Sequence, residues 1–78
     1  MKKFLIFWLI CLVGFSQTKT PFEQANELYN SGYYQEAIDR YTSILDSNQH
    51  SAALYYNLAN CHYKLNEIAP SIFYYEKA

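Results

Sequence analysis

Two kinds of hydrophobic pattern divide the chain. Phe4 to Val13 is an unbroken apolar run between Met1-Lys2-Lys3 and Gly14-Phe15-Ser16. Downstream the apolar positions become periodic. Ala25, Leu28 and Tyr29 fall at helical spacing within Pro21 to Ser31. Tyr34, Ala37, Ile38, Tyr41, Ile44 and Leu45 form an i, i+3, i+4, i+7 stripe within Tyr34 to Asp46. Tyr55, Leu58, Ala59, His62, Tyr63 and Leu65 mark a third helix, and Ile68, Ser71, Ile72, Tyr75 and Ala78 a fourth.

The breaks carry helix punctuation. Thr20-Pro21-Phe22-Glu23 supplies an N-cap Thr, a Pro at the first helical position and a Glu placed for a capping box. Gly32 suits a helix end in the left-handed conformation, and Asn66 is the next best residue for it. Residues 47–51 read as a polar connector in which Ser51 caps the third helix. Pro70 fits the first turn of the fourth, where little hydrogen bonding is lost.

The downstream chain aligns with itself after a shift of 34 residues. Ala25 falls on Ala59, Asn26 on Asn60, Tyr29 on Tyr63, Gly32 on Asn66, Ile38 on Ile72 and Tyr41 on Tyr75. Two helical hairpins are thus expected, each closing on the same small and aromatic positions.

With those residues placed, the sequence resembles the tetratricopeptide repeat family and its W-x2-L-G-x2-Y…A-x3-F…P pattern. In the run from Tyr55 to Asn66, Leu58-Ala59 stands for the Leu-Gly pair, Tyr55 for the Trp and His62 for the Tyr. The run from Gly32 to Ile38 is similar to the family's second-helix start, with Tyr41 at the later aromatic place. Ala25, Ala37, Ala59 and Ser71 are small where paired helices approach closely. Pro21, Gln24, Ile44 and Gln49 depart from the pattern without moving the register. The resemblance implies an all-α fold: antiparallel helix–turn–helix hairpins stacked as a fragment of an α-solenoid. It places repeat one at 18–51 and repeat two at 52–78, the last cut short, after a leader at 1–16 that reads separately as a signal peptide. Since arrays usually have three or more units and a cap, the chain is expected to be the amino-terminal piece of a longer protein. The alternative is a domain that docks its open end on a second copy. A narrower resemblance joins Tyr56 to Asn66 and Ile68 to Ala78 to the repeat proteins of the aerotolerance (Bat) operons of Bacteroidetes, with Pro70-Ser71 its most specific part.

The apolar start changes the compartment. A positive amino terminus, an apolar core and small residues at Gly14 and Ser16 make the tripartite pattern of a secretory signal peptide. The core is short beside the about 20 residues of a membrane span, and an uncleaved anchor is the alternative. Cys11 lies inside this core, with Leu12-Val13 still to come, and reads as filler, not as a lipidation site. The expected location is therefore exported, periplasmic or membrane-associated, in a Gram-negative bacterium.

Charge and chemistry exclude more than they select. Formal net charge is −1, and the residues after the leader keep four basic side chains against seven acidic ones, a net of −3. A nucleic-acid partner is not expected from such a surface. Nine tyrosines, all beyond the leader, serve helix interfaces and binding surfaces alike. Cys61 and His62 are adjacent, and neighbouring helical residues point about 100° apart, so core filling is preferred to a nucleophile–base pair. His50, in the connector, reads as solvated. Cys61, His50 and His62 make no metal-ligand spacing, and the carboxylates read as solvated faces or caps. Neither catalysis, metal nor cofactor is expected.

Binding is the remaining function. The resemblance implies a concave groove lined by the first helix of each hairpin. It places Phe22, Glu23, Asn26, Tyr29 and Asn30 of repeat one there, with Tyr56, Asn57, Asn60, Tyr63 and Lys64 of repeat two. Asn amides can bond a peptide backbone from both ends, and Lys64 can pair with a carboxylate. The family's carboxylate clamp is in doubt because Phe22 stands where one of its lysines would be. The competing reading packs Tyr29 and Tyr63 between helices and bonds the asparagines within the array. The expected role is an exported protein–protein interaction scaffold, in an envelope complex linked to aerotolerance. The alternative is a structural or oligomerisation segment of a longer membrane-associated protein, self-associating through its open helical end.

Overall fold

The computed structural model describes residues 18–78; the leader, with Cys11 and the expected cleavage site, lies outside them. The described residues form four helices and no strand: α1 (Pro21–Asn30), α2 (Tyr34–Asp46), α3 (Ala52–Lys64) and α4 (Ile68–Lys77). Each helix packs on the next, and α1 also touches α3. None is long and apolar enough to cross a membrane.

The helix boundaries follow from local chemistry. The Thr20 hydroxyl accepts from the Glu23 backbone N–H at 3.1 Å, and the Glu23 carboxylate accepts from the Thr20 N–H at 3.1 Å. Ser51 caps α3 by accepting from the Leu54 N–H at 3.1 Å. No side chain caps α2 or α4. These second helices start directly from the turn that ends the first, so no residues remain for a separate cap. Pro70 is the third residue of α4, within its first turn.

Three helices end in one motif. After α1, Tyr33 N–H bonds Leu28 O at 2.8 Å and Gly32 N–H bonds Tyr29 O at 3.0 Å. After α3, Glu67 N–H bonds His62 O at 2.8 Å and Asn66 N–H bonds Tyr63 O at 3.0 Å. After α2, Gln49 N–H bonds Ile44 O at 3.3 Å and Asn48 N–H bonds Leu45 O at 2.9 Å. Each pair is a Schellman closure, which needs one left-handed residue. Those residues are Gly32 at φ 88°, Asn66 at φ 65° and Asn48 at φ 63°. Asn48 is an addition to the two positions expected from sequence. A Cβ at Gly32 would meet nothing within 4 Å. Gly32→Ala is therefore expected to cost about 1 kcal/mol through backbone conformation alone. Gly32→Asn should recover much of that loss in urea unfolding; equal losses for both variants would refute the conformational explanation.

The core runs along the seam between hairpins. Ala25, Ala37, Ile38, Tyr41, Ile44, Leu54, Leu58 and Cys61 form it, with Phe22, Leu28, Tyr29, Leu45, Leu65 and Tyr74 packed against it. Ala25, Ala37, Ala59 and Ser71 are all buried, as expected for close helix contacts. The buried Ser71 hydroxyl is satisfied by donating to Ile68 O at 2.8 Å.

Two stripes differ from expectation. On α3 the buried residues are Leu54, Leu58, Ala59 and Cys61, while Tyr63 is exposed. On α4 only Ser71 is buried. Register-equivalent residues show why. Ile38 is 8% exposed and Tyr41 1%, whereas Ile72 is 51% exposed and Tyr75 38%. The helix after α2 covers its apolar face; among the described residues no helix covers the same face of α4.

The opposite end is polar. Where α3 offers Leu54, Leu58 and Cys61 to the core, the equivalent places around α1 hold Thr20, Gln24 and Glu27. Gln24 accepts from Arg40 at 2.7 Å, and Glu27 pairs with Lys19 at 2.9 Å. That contact, through the hydrogen bond first, raises the Lys19 pKa. The amino-terminal face of the stack therefore carries solvated polar groups where the interior carries apolar ones.

Candidate functional site: a cleft between the first helices of two hairpins

The sequence repeat places equivalent asparagines on α1 and α3. The same hydrogen bond then forms twice: the Tyr41 hydroxyl donates to Asn26 Oδ1, and the Tyr75 hydroxyl donates to Asn60 Oδ1. Each Tyr lies 15 residues after its Asn, on the second helix of the same hairpin. Asn57 joins the repeats by donating from Nδ2 to Asn26 Oδ1 at 3.1 Å.

These residues frame a cleft of about 230 Å³ lined by Asn26, Tyr29, Asn30, Tyr41, Asn57 and Asn60. No charged side chain lines it. Tyr29 closes one side, half-buried, with its ring edge-on to Tyr34 at 5.3 Å between centroids. Burial raises the Tyr29 pKa, with lesser contributions from the neighbouring Tyr34, Cys61, Tyr75 and Tyr56. Beside the cleft Tyr56 and Tyr75 pack ring to ring at 5.7 Å. Burial, then the neighbouring Tyr56 and Tyr63 phenols, raise the Tyr75 pKa as well.

Of the groove residues expected from sequence, Asn26, Tyr29, Asn30, Asn57 and Asn60 meet in this cleft. Tyr56, Tyr63 and Lys64 lie outside its lining and are exposed, Tyr63 at 58%. Phe22 is elsewhere: its ring tilts against Tyr41 at 5.8 Å, and it lines a separate cleft with Ile44, Gln49, His50, Ser51 and Leu54. Glu23 is engaged in the cap of α1. Asn26 and Asn60 bond within the array through their oxygens, as the competing reading expects, and both also border the cleft. Tyr41 is the lining residue that periodicity assigns to packing alone. Its signal is the shared register of the Asn26/Asn60 and Tyr41/Tyr75 pairs.

The other candidate groups are turned to structural contacts. Cys61 is buried, and burial pushes its thiol up to about 11. His62 does not face it: Nδ1 meets the Glu67 carboxylate at 2.7 Å, and the ring stacks on Tyr74 at 5.6 Å. His50 is exposed, as a connector residue should be, yet its Nδ1 also meets the Tyr55 hydroxyl.

Burial likewise drives the Tyr41 phenol up to about 12. Cys61 and Tyr41 are acids whose neutral form the fold prefers. Their stabilisation is complete below the ordinary values of 9.0 and 10.0 and is lost as pH rises toward about 11 and 12. The melting temperature is therefore expected to hold at neutral pH and fall progressively above about pH 9. Scanning calorimetry across that range checks this, and a melting temperature that rises with alkali would contradict it.

No curated protein and no solved structure matches the chain. A family profile described as tetratricopeptide repeat matches residues 23–76, from inside the first turn of α1 to the last turn of α4. The duplicated hairpin, its small-residue contacts and its repeated Asn–Tyr bond accord with that match, and the chain belongs to the tetratricopeptide repeat family.

Proposed function

We propose that the chain is an exported protein–protein interaction scaffold that holds an extended peptide in the Asn- and Tyr-lined cleft. Repeats of this family generally mediate protein–protein interaction and are typically non-enzymatic scaffolds. The observation that carries the reading is the cleft itself: a neutral, polar recess of about 230 Å³ between the first helices of the two hairpins. Export is supported by Lys2-Lys3, the Phe4–Val13 core and the small residues Gly14 and Ser16. A place in an envelope complex linked to aerotolerance is supported by the resemblance of Tyr56 to Asn66 and Ile68 to Ala78 to the Bat-operon repeat proteins.

Partner capture with the tagged chain tests the groove. A partner that is lost from the Asn57→Ala, Asn60→Ala double variant supports it. Capture of nothing but the chain itself, unchanged in that variant, refutes it. Fusion of the first 20 or so residues to a reporter active only outside the cytoplasm tests export, with an inactive reporter the refuting result.

A second reading, self-association, is favoured by the face of α4 that no helix covers among the described residues. Ile68, Ile72 and Phe73 are each about half exposed on one short helix. A second copy would cover them α4 against α4, because the polar face of α1 suits that place poorly. Sedimentation should then show a dimer that Ile72→Lys dissolves; a monomer at high concentration ends this reading.

A further inference from the structure

We infer that the cleft selects a proline-rich segment in the polyproline II conformation, which deepens the groove reading and rests on it. The argument starts from which hydrogen-bonding groups the fold leaves over. Asn26 Oδ1 is taken by Tyr41 and Asn57. Asn60 Oδ1 is taken by Tyr75. The Nδ2 groups of Asn26 and Asn60 make none of these bonds, and both residues are half-buried at the cleft surface. The repeat thus presents amide donors at two equivalent places while it fills both lone pairs of Asn26 Oδ1 and one of Asn60 Oδ1.

A ligand rich in acceptors and poor in donors suits those two amide ends. An ordinary extended peptide brings an N–H with every carbonyl, and an N–H set against Asn26 Oδ1 would meet an oxygen that already accepts two bonds, which is unfavourable. Proline has a carbonyl and no N–H. A polyproline II chain turns once in three residues, so its carbonyls recur about every 9 Å along one side. Packed helices are spaced by about 8–10 Å, which matches that recurrence to the repeat of Asn26 and Asn60.

The apolar half of the recognition is also present. Proline-rich chains dock on aromatic-lined grooves, and Tyr29, Tyr56, Tyr63 and Tyr75 supply rings in and beside the cleft. Neither a terminal carboxylate nor a cationic segment would meet an opposite charge there, since no charged residue lines it.

The test is a titration of the full chain with three peptides, followed by NMR of the Asn side-chain amides. One is an oligoproline blocked at both ends, one a blocked Gly/Ser/Ala peptide of equal length, and one the latter with a free carboxyl terminus. The oligoproline is expected to shift the Asn26 and Asn60 amide signals and to bind at least fivefold tighter than either control. Tyr63→Ala, at an exposed site, should weaken it about fivefold with the melting temperature unchanged. Selective binding of a control peptide at the same amides overturns the proline inference and leaves the groove reading standing. Binding of the carboxyl-ended control alone would assign a carboxylate ligand instead. If no peptide moves those amides, both readings fall.

Discussion

Leu58→Ala is expected to destabilise the chain by about 3 kcal/mol. Leu58 has no exposed surface and sits in the seam where α3 packs between α2 and α4. Removing its branched end loses transfer free energy and leaves a cavity. Its surroundings include Ala25 and Ala37, side chains too short to fill the gap. At 0.05–0.15 kcal/mol per residue, the described segment has a total stability of roughly 3–9 kcal/mol, so the variant loses a large share of it. Tyr33→Ala, at an exposed site in the turn after α1, should stay within about 0.5 kcal/mol of the parent. Urea midpoints decide the matter. Equal, small shifts for both variants would mean that the seam is not the core.

Tyr41→Phe is expected to cost about 1.5 kcal/mol, and Tyr75→Phe about 0.5 kcal/mol or less. The two variants delete the same bond at equivalent places, to Asn26 and to Asn60. Tyr41 is sealed by the following hairpin, so the amide network of Asn26 and Asn57 loses a partner that water cannot readily replace. Tyr75 is solvated, and water substitutes for its hydroxyl. The comparison holds chemistry constant and varies burial. Equal losses would show that burial is not what gives the bond its value. Tyr41→Phe also removes the strongly raised phenol, so its melting temperature should depend less on alkaline pH.

The two ends of the stack bear on the choice between binding and self-association. Gln24 and Glu27 stand at α1 where Leu58 and Cys61 stand at α3. A second copy could not repeat the α2–α3 seam with its α1 without burying those polar groups, which is unfavourable unless they find new partners. Open-ended head-to-tail stacking of α1 on α4 is thereby opposed.

Much of this fold is legible in the residues because the information is local. The Thr20–Glu23 capping box, the Ser51 cap, the Pro70 first turn and the left-handed Gly32 and Asn66 each depend on a few neighbouring positions. Asn48 is harder to read because it lies among polar residues with no apolar stripe to mark the helix end. Periodicity misplaces the buried stripe of α3 because that helix is flanked on both sides. Leu54, Leu58 and Cys61 stand at i, i+4 and i+7 on the face that joins the core, while the buried Ala59 lies on another face.

By itself the sequence determined four helices, their ends, the 34-residue register and the small residues that let the hairpins close. These are set by propensities, caps and periodicities that act over a turn or two of chain. Only the tertiary structure decided which equivalent residues are buried and which are free. Ile38 and Ile72 are the same residue at the same place, and a covering helix makes one core and leaves the other on the surface. It also decided the character of the cleft. The composition of Asn26, Asn57 and Asn60 allows donors and acceptors alike, and the tyrosines on the second helices engage the acceptors of Asn26 and Asn60. What those two residues leave to a ligand is the opposite end of each amide, a property of residues 15 apart that meet only when the hairpin closes.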